Sequence, residues 1–95
     1  MDDVSVSIEY TPNPNSLKFA LSRPAFEKRG KTFTKKQDAA GFPLFERLFD
    51  EIGAGVASIF CVNNFFTITQ NGSLDWDDAI PKIQQAVKET LSAPK

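Results

Sequence analysis

Thr11-Pro12-Asn13-Pro14-Asn15-Ser16-Leu17-Lys18-Phe19 lies between two regular apolar alternations and decides how they are joined. Proline fixes φ and pushes the residue before it out of the helical region, so Thr11 and Asn13 are extended or turn-like and no helix passes through. Asn13, Asn15 and Ser16 carry short polar side chains that bond nearby backbone groups, which gives the corner one preferred shape. Upstream, Val4, Val6, Ile8 and Tyr10 alternate with Ser5, Ser7 and Glu9; downstream, Leu17, Phe19 and Leu21 alternate with Lys18, Ala20 and Ser22. A period of two reads as a half-buried strand. The stretch therefore predicts two antiparallel strands with the proline corner as their connection.

Working outward, Arg23 and Pro24 end the second strand, and Ala25 to Lys36 reads as an exposed loop holding a short edge strand around Lys31 to Thr34. Leu44, Phe45, Leu48, Phe49 and Ile52 recur at helical spacing with Glu46, Arg47, Asp50 and Glu51 on the other side. Asp38 is expected to cap a turn through Ala39 and Ala40, with the regular helix opening at Pro43 and stopping at Gly53 and Gly55. Val56 to Val62 and Phe65 to Gln70 are rich in β-branched and aromatic residues around an Asn63-Asn64 turn, a second hairpin. Val56, Ser58, Phe60 and Val62 are expected on one face and Ala57, Ile59 and Cys61 on the other, which makes this strand central. Asn71-Gly72 breaks the sheet, and Ser73 or Asp75 caps a last helix carrying Ile80, Ile83, Val87 and Leu91. Because Pro81 lacks an N–H, a separate turn over Trp76 to Ile80 is expected, with regular helix from Pro81 onward. The order strand, strand, helix, strand, strand, helix gives an α+β fold: an antiparallel sheet of about four main strands with two helices on one face. It forms a single domain over residues 1–95.

Composition narrows the function classes. A chain of 95 residues buries roughly 60–65% of its unfolded surface. Nine Phe residues within a 41% apolar composition put much of that core into large rings. Eleven basic and twelve acidic residues leave a net charge of −1, which offers no general attraction to nucleic acid or an anionic membrane. With no His and a single Cys, Cys61, an intramolecular disulfide is impossible and a thiolate or imidazole cage needs ligands from another chain. The acidic start Met1-Asp2-Asp3 is unlike a secretory signal and no segment approaches a membrane span, so a cytoplasmic location is expected.

Taken in order, the Thr11 to Phe19 motif, Pro43-Leu44-Phe45-Glu46-Arg47-Leu48-Phe49, Val56 to Phe60, Phe66-Thr67-Ile68-Thr69 and Asp75-Trp76 resemble the N-terminal domain of Nfu/NifU-type iron–sulfur cluster scaffold proteins. The resemblance spans about the whole chain, and its T-P-N-P-x-S-L-K-F core is specific for so short a motif. In that family a Cys-x-x-Cys pair in a separate C-terminal domain holds the cluster, thiolates being its ligands; this sequence has no such pair. The resemblance thus implies a stand-alone, non-catalytic interaction or accessory domain in iron–sulfur cluster assembly. It implies no cofactor of its own, and as partners it implies assembly or recipient proteins or a separately encoded Cys-x-x-Cys scaffold. The expected state is a monomer or weak homodimer.

Each candidate residue has a plain structural reading beside the functional one. Pro12, Asn13, Pro14, Asn15 and Ser16 form either a preorganised docking loop, which loses little entropy on binding, or a turn that sets hairpin register. Lys18 is a surface contact or a solvated strand lysine. Phe65 is expected to face away from the helices, over Ala57 and Ile59, while Phe66 points inward; as an open-face ring Phe65 is the remaining partner-binding candidate. Trp76 either anchors a partner or packs the last helix onto the sheet. Cys61 bridges iron or a cluster between two chains, the alternative function, or acts as a redox thiol, or is a small buried hydrophobe, the reading its apolar strand favours. Arg23, Lys28, Arg29, Lys31, Lys35 and Lys36 with Phe26 and Phe33 could pass for a nucleic-acid patch, but a solvated loop is the better reading given the neutral charge balance, with contact to an acidic protein surface as a further alternative. An enzyme is the further alternative; without His, and with no carboxylate pair, phosphate cradle or nucleophile elbow, nothing marks a reaction.

Overall fold

The computed structural model describes residues 5–91. Val4 and the acidic start lie outside them. The elements are β1 (Val6–Tyr10), β2 (Ser16–Leu21), β3 (Lys31–Phe33), α1 (Pro43–Ile52), β4 (Val56–Val62), β5 (Phe65–Gln70) and α2 (Trp76–Leu91), with short 3₁₀ turns at Lys36–Ala39 and Gly53–Gly55. All strand pairs are antiparallel in the order β1-β2-β5-β4-β3. The fold is the α+β layer that the sequence predicts, with the short edge strand β3 as a fifth member beside the four main strands.

Period-two alternation places Leu17, Phe19 and Leu21 of β2 and Phe66 and Ile68 of β5 against the helices, all buried. From α1, Leu44, Phe45, Leu48 and Ile52 meet them, and from α2, Ala79, Ile83, Ala86 and Val87. Four of the described buried residues are Phe, and their rings pack in a connected cluster. Phe19 stacks on Phe66 at 5.2 Å, Phe45 stands edge-on to Phe66 at 5.5 Å, and Phe33 and Phe26 close on Phe45 at 5.2 and 5.4 Å. Arg47 of α1 bonds Glu51 at 2.8 Å and also Glu89 of α2, tying the two helices across their solvent side.

Several local expectations are corrected. β4 does not split its apolar residues as simple alternation requires, because a bulge lets Val56 pair with Gln70 and Ser58 with Thr69. The extra residue shifts the phase, so Val56, Ile59 and Cys61 all face the helices while Ala57 and Phe60 are exposed. Tyr10 shares the core phase through its partner Leu17 but stands on the sheet edge, 82% exposed. Pro81 sits inside a continuous α2 rather than at its start. Its ring is on the exposed side, where the carbonyl that a proline leaves without an intrahelical donor is open to solvent rather than sealed in the core. Asp75 is the cap, accepting the Asp77 N–H at 3.0 Å. Asp38 does not cap its turn; its carboxylate takes the Thr34 N–H and hydroxyl, both at 3.0 Å, and these hold its pKa below the ordinary value.

The loop after β2 is anchored rather than free. Asn63, at φ 53°, turns β4 into β5, and its carbonyl takes the N–H groups of Ala25 and Phe26 at 3.0 and 2.9 Å while its own N–H bonds Glu27. Gly55 is required by contact: a Cβ there would lie 2.8 Å from the Leu74 Cβ. Phe45→Ala should lower unfolding free energy by about 3–5 kcal/mol in a urea titration, whereas Tyr10→Ala should stay within about 0.5 kcal/mol of the parent.

Candidate functional site

Helices cover one face of the sheet and leave the other to solvent. The register sets what that open face carries. Lys18 pairs with Glu9 on β1 and Thr67 on β5; Ala20 pairs with Phe65; Phe60 and Val62 of β4 sit opposite Thr67 and Phe65. Lys18 Nζ lies 4.3 Å from the Phe65 ring centre and 3.6 Å from the Glu9 carboxylate. Phe65 and Phe60 are 6.4 Å apart at 52°. A Cβ on Gly30 would lie 2.5 Å from the tip of the Phe60 ring, so the absence of a side chain there is what leaves room for the ring beside the loop. The result is a cation over an aromatic pair, bordered by the hydroxyl residues Thr67, Thr69 and Ser58. A cation held over a ring face is worth about 0.5–1 kcal/mol at an exposed site, and a partner that desolvates it strengthens the contact.

The proline corner stands at one end of this face. Asn13 accepts the Asn15 N–H on its side chain at 2.9 Å, and its carbonyl takes the Ser16 N–H at 3.0 Å. The Thr11 hydroxyl lies 2.8 Å from the Asn13 carbonyl and 3.0 Å from that of Ser16. Long-range bonds then bolt the corner down. The Asn15 carbonyl takes the Gln70 N–H at 2.8 Å, the Ser16 and Thr69 hydroxyls meet at 2.8 Å, and the Trp76 indole N–H donates to the Pro14 carbonyl at 3.3 Å.

Among the residues singled out from sequence, Pro12, Asn13, Pro14 and Asn15 are exposed, and Lys18 and Phe65 come together on the open face. Ser16 does not join them: it is 8% exposed with its hydroxyl engaged across the sheet, so its side chain holds the corner in place. The neighbours expected under Phe65, Ala57 and Ile59, are replaced by Phe60, Val62 and Ala20, because the tight Asn63-Asn64 turn pairs Val62 with Phe65 and so puts Val62 and Phe60 on the face of Phe65. Thr69 and Phe60 were not marked as site residues by the sequence pattern. Trp76 takes its packing role, half-buried against the core. Within the basic segment, Lys36 pairs with Asp50 at 2.7 Å and Lys31 lies 5.3 Å from the Phe42 ring centre.

Cys61 is 2% exposed, and burial pushes its thiol pKa up against the opposing pull of Lys31 across the strand pair. Among the described residues no group of three or more Cys, Asp or Glu is placed to hold a metal ion. These residues do not fit an iron–sulfur cluster. On the helix side, a shallow pocket of about 150 Å³ lies between Phe26, Phe42, Pro43 and Leu91, and no titratable side chain lines it. No helix among the described residues is long and apolar enough to cross a membrane.

Residues 6–94 match the family model for the N terminus of the scaffold protein Nfu/NifU. The chain belongs to the Nfu/NifU N-terminal family. It is 36% identical over 89 residues to the human mitochondrial NFU1 iron-sulfur cluster scaffold homolog, covering 93% of this chain and 34% of that protein. It is 35% identical over 79 residues to conserved virulence factor C of Staphylococcus aureus strain MRSA252, covering 83% of this chain and 20% of that protein. The chain thus spans about a third or less of the curated relatives it matches. The solution structure of a NifU-like protein from Saccharomyces cerevisiae has the same fold, with a TM-score of 0.79 at 23% identity over 94% of this chain and 79% of that one. The crystal structure of protein SAV1430 from Staphylococcus aureus gives 0.73 at 28% identity over 86% and 96%. The two curated relatives are named as a cluster scaffold homolog and a virulence factor.

Two measurements check this geometry. Thr69→Val leaves the buried Ser16 hydroxyl without its partner and should cost about 1–3 kcal/mol in denaturant unfolding, with part of the loss recovered in the Ser16→Ala, Thr69→Val double variant. A thiol reagent at pH 8 should leave Cys61 unmodified in the native protein and label it fully in denaturant; rapid native labelling would show an accessible thiol.

Proposed function

We propose that this domain is a non-catalytic interaction module of iron–sulfur cluster assembly, which docks an assembly or recipient protein on the open sheet face. The observation that carries the reading is the Lys18–Phe65–Phe60 group. It sits on a rigid sheet beside a corner tied by bonds from Gln70, Thr69 and Trp76. Such a surface is ordered before binding, so association does not spend free energy on fixing loops. Aromatic rings such as Phe65 and Phe60 are enriched at the cores of protein interfaces, and a partner that desolvates the Lys18–Phe65 contact strengthens it.

Membership of the Nfu/NifU N-terminal family, with a human relative named as a cluster scaffold, supports a place in cluster assembly. The buried Cys61 and the lack of a ligand group among the described residues direct the reading away from cluster binding by this region and toward recognition. A separate Cys-x-x-Cys scaffold is one partner of the required kind, since it would supply the thiolates missing here.

Affinity capture from the source organism's extract tests the reading. The parent domain should recover iron–sulfur assembly or recipient proteins, and Lys18→Glu with Phe65→Ala should reduce that recovery at least about tenfold, the effect of losing about 1.4 kcal/mol or more. Unchanged thermal unfolding would show that the variant still folds. Capture that is indifferent to the two substitutions, or that contains no protein of this class, would refute the assignment.

A further inference from the structure

The sheet ends in two unlike edges. β3 is three residues long and carries Lys31, with Lys28, Arg29, Lys35 and Lys36 on the segments flanking it; shortness and lysines are devices that keep an edge from pairing with another strand. β1 has neither. Its residues Val6, Ser7, Ile8, Glu9 and Tyr10 include no proline, lysine or arginine, and no described strand lies beyond it.

Backbone alternation shows which groups point outward. The Ser22 N–H donates to the Ser5 carbonyl at 2.9 Å, toward β1, whereas the Leu21 N–H donates to the Asn64 carbonyl at 2.6 Å, toward β5. In an antiparallel ladder these directions alternate. Ser5, Ser7 and Glu9 therefore bond β2, and the N–H and C=O groups of Val6, Ile8 and Tyr10 point away from the sheet. The side chains of these same three residues lie on the helix side, Val6 and Ile8 at the rim of the core and Tyr10 82% exposed.

We infer that β1 is a self-recognition edge, on which a second copy of this chain lays its own β1 antiparallel about a twofold axis at Ile8. That register sets Ile8 against Ile8 of the second copy and Val6 against Tyr10, both on the helix side, and closes about six main-chain hydrogen bonds. On the open face Ser7 falls opposite Glu9, whose carboxylate already neighbours Lys18 at 3.6 Å. Moving the axis to Glu9 would oppose two carboxylates, which is destabilising; moving it to Ser7 would leave Tyr10 with no β1 residue opposite. A strand of another sequence satisfies the backbone equally well. The register that matches apolar with apolar and separates the carboxylates is supplied by the chain itself. A single strand pair buries much less than the roughly 1,200 Å² of lasting complexes, so the association is weak, with Kd in the range of about 10 µM to 1 mM. The inference does not depend on the iron–sulfur reading.

Sedimentation equilibrium of the full chain from about 10 µM to 1 mM tests it. A reversible monomer–dimer equilibrium is expected, weakened at least about tenfold by Tyr10→Lys, a change at an exposed site. Under mild oxidation Ile8→Cys should form an intermolecular disulfide several times faster than Ser7→Cys, because only the former meets itself at the axis. A chain that stays monomeric throughout overturns the inference, even if its β1 edge takes up a strand of another protein. So does a dimer that Tyr10→Lys leaves intact, or one in which both cysteines cross-link equally.

Discussion

Phe19 and Phe66 stack at 5.2 Å across β2 and β5, and their pairing fixes the register of the two central strands. Side chains alternate with a period of two, so a slip of one residue would exchange the faces and drive Lys18 and Thr67 into the core. The inward ring pair therefore determines the outward one. With Phe19 and Phe66 buried, Lys18 and Phe65 have no place except the open face, within 4.3 Å of each other. Phe45 from α1 and Phe26 from the loop after β2 pack edge-on against Phe66, which holds the register that sets the surface arrangement.

The corner completes this logic at the end of the sheet. Local Asx-type bonds shape Thr11 to Ser16, but three contacts from distant parts of the chain, Gln70, Thr69 and Trp76, hold it against β5 and the start of α2. The turn role and the docking role are thus not rivals: fixing the hairpin register is what makes Pro12 to Asn15 a defined surface. The same segment ends β1, the edge whose outward groups Val6, Ile8 and Tyr10 share one side of the sheet.

Much of this was legible in the chain. The two hairpins, the start of α1 at Pro43, the inward Phe66, the outward Phe65 and the edge strand near Lys31 follow from periodicity and turn chemistry. What was not legible depends on contacts across long separations or on departures from a regular period. β4 is apolar on both sides in sequence, so the exposure of Phe60 is set by pairing with β5, and the bulge between Val56 and Ser58 turns Val56 to the helix side. Tyr10 is in core phase, yet the helices do not reach it. Pro81 lacks an N–H and predicts a helix start, yet α2 runs through it with its ring on the exposed side, so packing of the apolar face on both sides of it overrides the local rule. Ser16 and Thr69 are 53 residues apart, and no local pattern announces their bond.

The account rests on recognition by the open sheet face. A photo-reactive phenylalanine analogue placed at Phe65, compared in living cells with one at Lys82 on the exposed side of α2, examines that face directly. Adducts to iron–sulfur assembly or recipient proteins from position 65 and not from position 82 are predicted. Adducts to those proteins from position 82 alone, or from neither position, would contradict the account.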